Sequence, residues 1–214
     1  MWKRRCNNVA RGATLGEYLA RACLARGAAI GFRMLEINTE RLTLRPLSLD
    51  DLEWFAAMRG DKDVMRFIGR VGAVPREIAE ARLHRHLECW AERGLGMFGV
   101  RERGQEIAVG WAGLQPMDGT DEIEVGYAFG KDAWGRGYAT EVARALVRWG
   151  FETLELERIV AVAYAKNAAS RRVMDKLGMR FEGVRYIYGT DSVYYSLTRS
   201  AFVDAALPRT TSAG

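Results

Sequence analysis

Leu42 and Leu44, alternating with polar neighbours, mark residues 40–47 as a first strand, and Pro46 stops it. Ser48 then caps a helix, with Asp51 three residues on in the partner position of a capping box. Leu49, Leu52, Phe55 and Ala56 are the expected buried face of that helix. Residues 61–67 read as a short second helix and 69–74 as a flexible loop. A longer helix opens at Pro75 and runs to about Arg93, with Ala79, Leu83, Leu87 and Trp90 as its apolar stripe and Gly94 as its stop. Three strands on short turns follow. Residues 97–102 and 107–115 flank Arg103-Gly104-Gln105, and 122–129 comes after a turn at 116–120.

The period changes at residues 132–151, DAWGRGYATEVARALVRWGF. Small or apolar residues recur at Ala139, Val142/Ala143, Leu146/Val147 and Gly150, one buried helical face, while Glu141, Arg144, Arg148 and Glu152 share the wet one. The order is therefore strand, glycine turn, helix. Glycines at a helix start let unpaired backbone N–H groups face an anion, and the helix dipole favours negative charge there. Such a turn suits a phosphate or pyrophosphate, although Gly135 and Gly137 would equally serve a plain tight turn. After the helix, residues 158–164 form an apolar interior strand and 167–177 a helix closed by Gly178. Two last strands, 179–188 and 192–198, meet at the turn 189–191. With no internal repeat or low-complexity linker, residues 34–207 read as one α+β domain, followed by a short polar tail at 208–214.

Charge alters little in this picture. The formal net charge of +5 is concentrated in residues 1–33, which hold seven Lys/Arg against the single Glu17. The remainder carries 25 basic and 26 acidic residues, so a basic nucleic-acid face is not supported. The extension, 1–33, is expected to stand outside the fold, as upstream sequence before an internal start at Met34. Cys6, Cys23 and Cys89 form no C-x-x-C pair, which fits a reducing cytoplasm rather than a disulfide framework or a zinc site. His84 and His86 are two apart on a helix, point to different faces and are expected at the surface or at a rim rather than as ligands. No metal is expected. No apolar run approaches the roughly 18 residues of a membrane span.

The glycine turn lacks both the Lys-Ser/Thr of a P-loop and the G-x-G-x-x-G of a dinucleotide turn. It resembles the pyrophosphate loop of the GNAT family of N-acetyltransferases, Gln/Arg-x-x-Gly-x-Gly/Ala. Gly137 and Ala139 match its small positions, while Trp134 stands where Gln or Arg usually stands. A second block, Asn167-Ala168-Ala169-Ser170, then Lys176-Leu177-Gly178-Met179 and Glu182-Gly183, is similar to the N-x-x-S…K-L-G-F…E-G pattern of that family's RimJ/RimL-type, ribosomal-protein branch. Together the blocks cover about residues 38–203. The resemblance implies a twisted, mixed, mostly antiparallel sheet of about seven strands with helices on both faces. It also implies acetyl-CoA as co-substrate and an amine acceptor, with monomer or homodimer open. Pantetheine amides would pair with backbone at Tyr127, Ala128 and Phe129, beside a bulge that splays two strands, and the pyrophosphate would sit on Gly135, Arg136, Gly137, Tyr138, Ala139 and Thr140.

Acetyl transfer to an amine needs a base and a way to accommodate the departing thiolate. Glu124 shares a strand face with Gly126 and Ala128, which leave room beside it, and is the base candidate; otherwise it is a solvated strand carboxylate. Asn167 resembles the family's cofactor-contacting asparagine and would serve equally as a helix N-cap. Ser170 matches a serine placed beside the leaving thiolate in the ribosomal-protein branch, or is a small polar first-turn residue. Met174 occupies the position of the family's tyrosine acid and cannot donate a proton. With Cys89 in a helix far from the motif, direct transfer in a ternary complex is expected over a ping-pong route. The acceptor end should lie near residues 66–74 and 186–191, where Tyr186, Tyr188 and Trp134 are available as lining. The acceptor is open between a protein N-terminus and a small amine. A non-catalytic acyl-CoA-binding module and, more distantly, a nucleotide-binding protein are the other readings. A chain beginning at Met34 is expected to fold and bind acetyl-CoA as the full chain does; a large drop in melting temperature or affinity would place residues 1–33 within the fold.

Overall fold

The alternating segments pair into one sheet in the computed structural model, which describes residues 35–68 and 72–206, with side chains as far as 203. The basic extension with Cys6 and Cys23, part of the loop 69–74 and the tail 208–214 lie outside the described residues. The strands are β1 (Ile37–Asn38), β2 (Leu42–Pro46), β3 (Met97–Glu102), β4 (Ala108–Pro116), β5 (Ile123–Phe129), β6 (Arg158–Tyr164), β7 (Arg180–Ile187) and β8 (Thr190–Thr198). Their order is β1-β2-β3-β4-β5-β6-β8-β7. That is one strand more than the sequence pattern suggested; β1 has two residues, too few to carry any periodicity. Every neighbouring pair is antiparallel except β5 and β6. A parallel pair needs a crossover, and the helix α3 (Tyr138–Glu152) provides it.

Helices cover both faces. On one, α1 (Leu52–Gly60) and the first half of α2 (Arg76–Arg93) enclose Phe55, Met65, Ala79 and Leu83 against Met97, Trp111 and Ala128 of the sheet. On the other, α3 lays Val142, Ala143, Leu146 and Val147 over Leu114, Val125 and Ile159, and α4 (Ala168–Lys176) adds Val173 and Met174. Gly150 lets α3 approach closely: a Cβ there would come within 2.7 Å of Ile159 Cδ1 and 2.9 Å of Leu114 Cδ1. The expected parity of β5 holds. Val125 and Phe129 pack under α3, whereas Ala128 belongs to the α1–α2 side, and Glu124 and Gly126 share its face by alternation.

Several local readings need correction. Leu49 belongs to a 3-10 turn ahead of α1 and is 56% exposed, and Leu52 is half-buried, while Phe55 and Ala56 are buried as expected and Met58 joins them. The capping box does form: Asp51 accepts from the Ser48 N–H at 2.9 Å, and it also pairs with Arg101 at 2.5 Å. Residues 61–67 reach only a 3-10 turn at Val64–Phe67. His84 is exposed and His86 sits half-buried at the cavity rim, edge-on against Phe55, as the surface-or-rim reading allows. A last helix, α5 (Arg199–Ala206), lies outside the elements that the sequence pattern predicts, and its Phe202 packs on Phe151. Leu146, fully buried at the centre of the α3 face, tests how much that face matters. Leu146→Ala should destabilise the protein by about 2–5 kcal/mol in urea unfolding, and a loss below about 1 kcal/mol would mean that the face repacks.

Candidate active site

The glycine turn opens α3 with two residues in the left-handed region, Gly135 at φ 72° and Gly137 at φ 81°. Gly137 is the N-cap, so the N–H groups of the first turn have no helical acceptor behind them. Thr140 is the exception, because its N–H returns to the Gly137 carbonyl at 3.1 Å. The turn is stapled by the residue just ahead of β2. Arg41 donates through Nη1 to the Arg136 carbonyl at 2.9 Å and pairs with Glu141 at 2.6 Å, its guanidinium stacked 4.8 Å from the centroid of Tyr138. Glu141 also accepts from Thr39 Oγ1 at 2.6 Å and from the Arg41 N–H at 2.9 Å. It is therefore a structural anchor, where helical spacing had placed it on the wet face. Arg136 turns away from the glycine cradle to pair with Glu102 at 2.5 Å.

Beside this turn the sheet comes apart. β5 keeps an unbroken register with β4 from Gly110↔Phe129 to Pro116↔Ile123. Its ladder with β6 consists of the single pair Glu124↔Val160. The splay implied by the family resemblance is present, and no register shift in β5 accompanies it. Glu124 stands at the apex of the resulting wedge, 6% exposed, accepting a hydrogen bond from the Tyr188 hydroxyl at 2.5 Å. Burial pushes its carboxyl up to about 7, assisted by Asp118 and opposed by the Tyr188 and Gln115 side chains. The phenol of Tyr188 is raised in turn, by burial and by the Glu124 charge. Tyr188 reaches this position from the β7–β8 turn, where it adopts φ 55° ahead of Gly189 at φ 80°. A non-glycine residue in that region is unusual. The sequence pattern marks Tyr188 only as a lining aromatic; the tyrosine-glycine pair between two strands is the available signal.

Across the wedge, Asn167 caps α4 by accepting from the Ser170 N–H at 3.1 Å and donates through Nδ2 to Ser170 Oγ at 3.0 Å. Ser170 Oγ already accepts that bond, so its own proton is free to be donated. Tyr127 Oη is buried and makes no hydrogen bond of ordinary geometry. Burial lifts its phenol to about 12, with Ser170 pulling it down. Trp134 donates to the Phe129 carbonyl at 2.7 Å, which leaves that group less available to a ligand. One cavity of about 2020 Å³ joins these parts: Glu124, Tyr127, Ala128, Phe129, Gly135, Gly137, Tyr138, Ala139, Thr140, Asn167 and Ser170 all line it. Of the residues singled out in the sequence, Arg136 does not. Tyr186, 77% exposed, also lies off the cavity. Cys89 lies in α2 as expected and lines the same cavity, and burial raises its thiol, the reverse of an activated nucleophile. Among the described residues, no three His, Cys, Asp or Glu side chains converge as a metal site, and no helix is long and apolar enough to cross a membrane.

A splayed parallel pair, an anion-ready helix start and a buried carboxylate at the apex define an acyl-CoA-dependent transferase. The model of the Acetyltransferase (GNAT) domain matches residues 41–180, so this chain belongs to the GNAT family, and it is an acetyl-CoA-dependent N-acetyltransferase. It is 32% identical over 149 residues to the uncharacterized N-acetyltransferase YnaD of Bacillus subtilis (strain 168), covering 70% of this chain and 85% of that one. A GNAT-family acetyltransferase structure from Bacillus anthracis superposes with a TM-score of 0.67 at 29% identity, over 78% of this chain and 99% of that chain. RimL, a ribosomal L7/L12 alpha-N-protein acetyltransferase solved in complex with coenzyme A, has the same fold, with a TM-score of 0.67 at 16% identity over 78% and 99% of the two chains.

The two left-handed glycines and the unpaired N–H groups of α3 fit a pyrophosphate. Gly137→Val would hold a β-branched residue at φ 81°, with its side chain over the cradle and toward Arg41, whose Nη2 lies 3.5 Å from a Cβ there. Acetyl-CoA binding is expected to weaken at least about tenfold, or about 1.4 kcal/mol, with the melting transition largely kept. Normal binding by this variant in calorimetry would show that the turn does not cradle the phosphates.

Proposed function

We propose that the chain transfers the acetyl group directly to a primary amine within a ternary complex, with Glu124 as general base. Acetyl-CoA supplies the thioester, and its pantetheine and pyrophosphate take the wedge between β5 and β6 and the first turn of α3. The placement of Glu124 carries this reading: a buried carboxylate at the one point where the two half-sheets meet, raised to about 7. A base poised near the working pH combines adequate ionisation with adequate basicity. The ammonium surrenders its first proton to Glu124, which passes it to solvent. The amine nitrogen then attacks the thioester carbon as the carbon–sulfur bond breaks, and the second amine proton ends on the thiol. Ser170 and Tyr127, which both line the cavity, are the hydroxyls available to the departing sulfur. A phenol near pKa 12 is a poor acid toward a thiolate, whose conjugate acid has a pKa of about 8.5, so these hydroxyls solvate the thiolate rather than protonate it.

The acceptor favoured by this chemistry is an α-amino group, such as a protein N-terminus. Its pKa of about 8 lies within reach of a base near 7, whereas a lysine-like amine at about 10.4 is further removed. The motif pattern of the ribosomal-protein branch supports the same choice, and a cytoplasmic setting follows from it. A small α-amino compound would meet the same requirement.

Glu124→Gln keeps the size and hydrogen-bonding reach of the side chain and removes the base. It should lower kcat at pH 7 by about 10² to 10⁴, leave acetyl-CoA affinity nearly unchanged, and abolish the rise of kcat with pH through about 7. Ser170→Ala should cost less. Stability should move in the opposite sense. The folded carboxyl titrates near 7 against 4.5 unfolded, so wild type loses stability as pH rises between those values and the Gln variant does not. Wild-type turnover by Glu124→Gln at pH 7 would remove Glu124 as the base.

A further inference from the structure

Beyond Glu124 the cavity continues along the same sheet face toward α1 and α2. Arg59, in the last turn of α1, lines it there while only 5% exposed. Its guanidinium carbon lies 5.9 Å from the ring centroid of Phe55 and 5.7 Å from that of Trp111. Nε and Nη2 are buried without hydrogen-bond partners. Interior charges are ordinarily paired, and a ring contact offsets only part of what an unpaired one costs.

The surroundings add positive charge instead of neutralising it. Arg82 on α2 borders the same cavity with its own Nε buried and unpartnered. Burial together with Arg82 lowers Arg59 to about 10, and no carboxylate opposes them. His86 is held down to about 4 by burial and by Arg59, Arg85 and Arg82, so it remains neutral. The nearby acids are engaged or turned outward. Asp61 and Asp63 pair with Lys131 at 3.2 and 3.1 Å, Asp118 lies 3.9 Å from Arg85, and Glu88 and Glu92 are exposed.

We propose that this end of the cavity is an anion subsite, in which Arg59, backed by Arg82, binds a carboxylate carried by the acceptor. Trp111 stands four residues along β4 from Gln115, the register partner of Glu124, or about 13 Å at roughly 3.3 Å per residue. Side chains reaching in from both ends shorten that distance to the span of a peptide with an acidic side chain a few residues from its N-terminus. A medium-chain ω-amino acid has the same reach, but its lysine-like amine is further from a base near 7, so it serves mainly as a probe of the carboxylate. The position of the amine in this inference rests on the transferase reading.

The test is calorimetry on CoA-loaded protein with two matched pairs: 8-aminooctanoate against its carboxamide, and Ala-Ala-Glu amide against Ala-Ala-Gln amide. Wild type should bind the acid at least tenfold more tightly in one pair, and that pair identifies the source as a small molecule or a peptide. Arg59→Met, which keeps the stem and removes the charge, should bring acid and amide to parity, and Arg59→Lys should restore part of the preference. If Arg59→Met fails to fold, Arg59→Lys and Arg82→Met should each reduce the preference. Equal binding of acid and amide by wild type in both pairs would overturn the subsite, as would a preference that survives Arg59→Met. Thiol release from acetyl-CoA separates the two claims. An acid preference in binding with no transfer to any probe would sink the base mechanism and leave the subsite standing. Equal transfer to acids and amides would do the reverse.

Discussion

The structure depends on a parallel seam that pairs at only one point. All other neighbouring strands meet antiparallel, and β5 meets β6 at Glu124↔Val160 before diverging. Between them the chain must cross over, and α3 carries it, which is why the helix start with its free N–H groups stands at the mouth of the wedge. The seam also determines the environment of Glu124. At the apex the carboxyl is 6% exposed and accepts from the Tyr188 hydroxyl at 2.5 Å, with the Gln115 side chain also favouring its charged form.

Strain is concentrated in the same place. Tyr188 is one of two non-glycine residues with positive φ among those described, and its conformation is what brings a hydroxyl from the outer hairpin to the apex. The hairpin is itself anchored: Glu182 accepts from Arg158 at 2.9 Å, Arg185 at 3.2 Å and Ser196 at 2.7 Å. A left-handed tyrosine costs of order 1–3 kcal/mol, and its persistence here requires such support from the strands on either side.

Much of this was legible in the sequence because it obeys short-range rules. The β5 alternation placed Glu124 on the correct face, the glycine turn located the start of α3, and Asn167 proved to be the cap that its position allowed. What escaped depends on partners distant in the chain. Glu141 looks like a surface residue from helical spacing, yet Thr39 and Arg41, about a hundred positions earlier, hold it. The hydroxyl on Glu124 comes from sixty-four residues downstream. Arg59 reads as an ordinary last-turn arginine, and only the fold places Phe55, Trp111 and Arg82 around it. Leu49 failed for the opposite reason: a local apolar residue fell in a 3-10 turn, where the α-helical stripe does not extend.

The wedge has a further consequence. Past its one pairing with β6, β5 presents backbone to the inside of the molecule with the hydrogen-bonding character of a sheet edge. Edges on an outer surface invite other folded chains to add strands. This one is walled by α3, α4 and the β7–β8 turn, so it is open only to something as slender as a single extended chain with amides of its own. An inner edge of this kind escapes the aggregation hazard that an outer one usually brings.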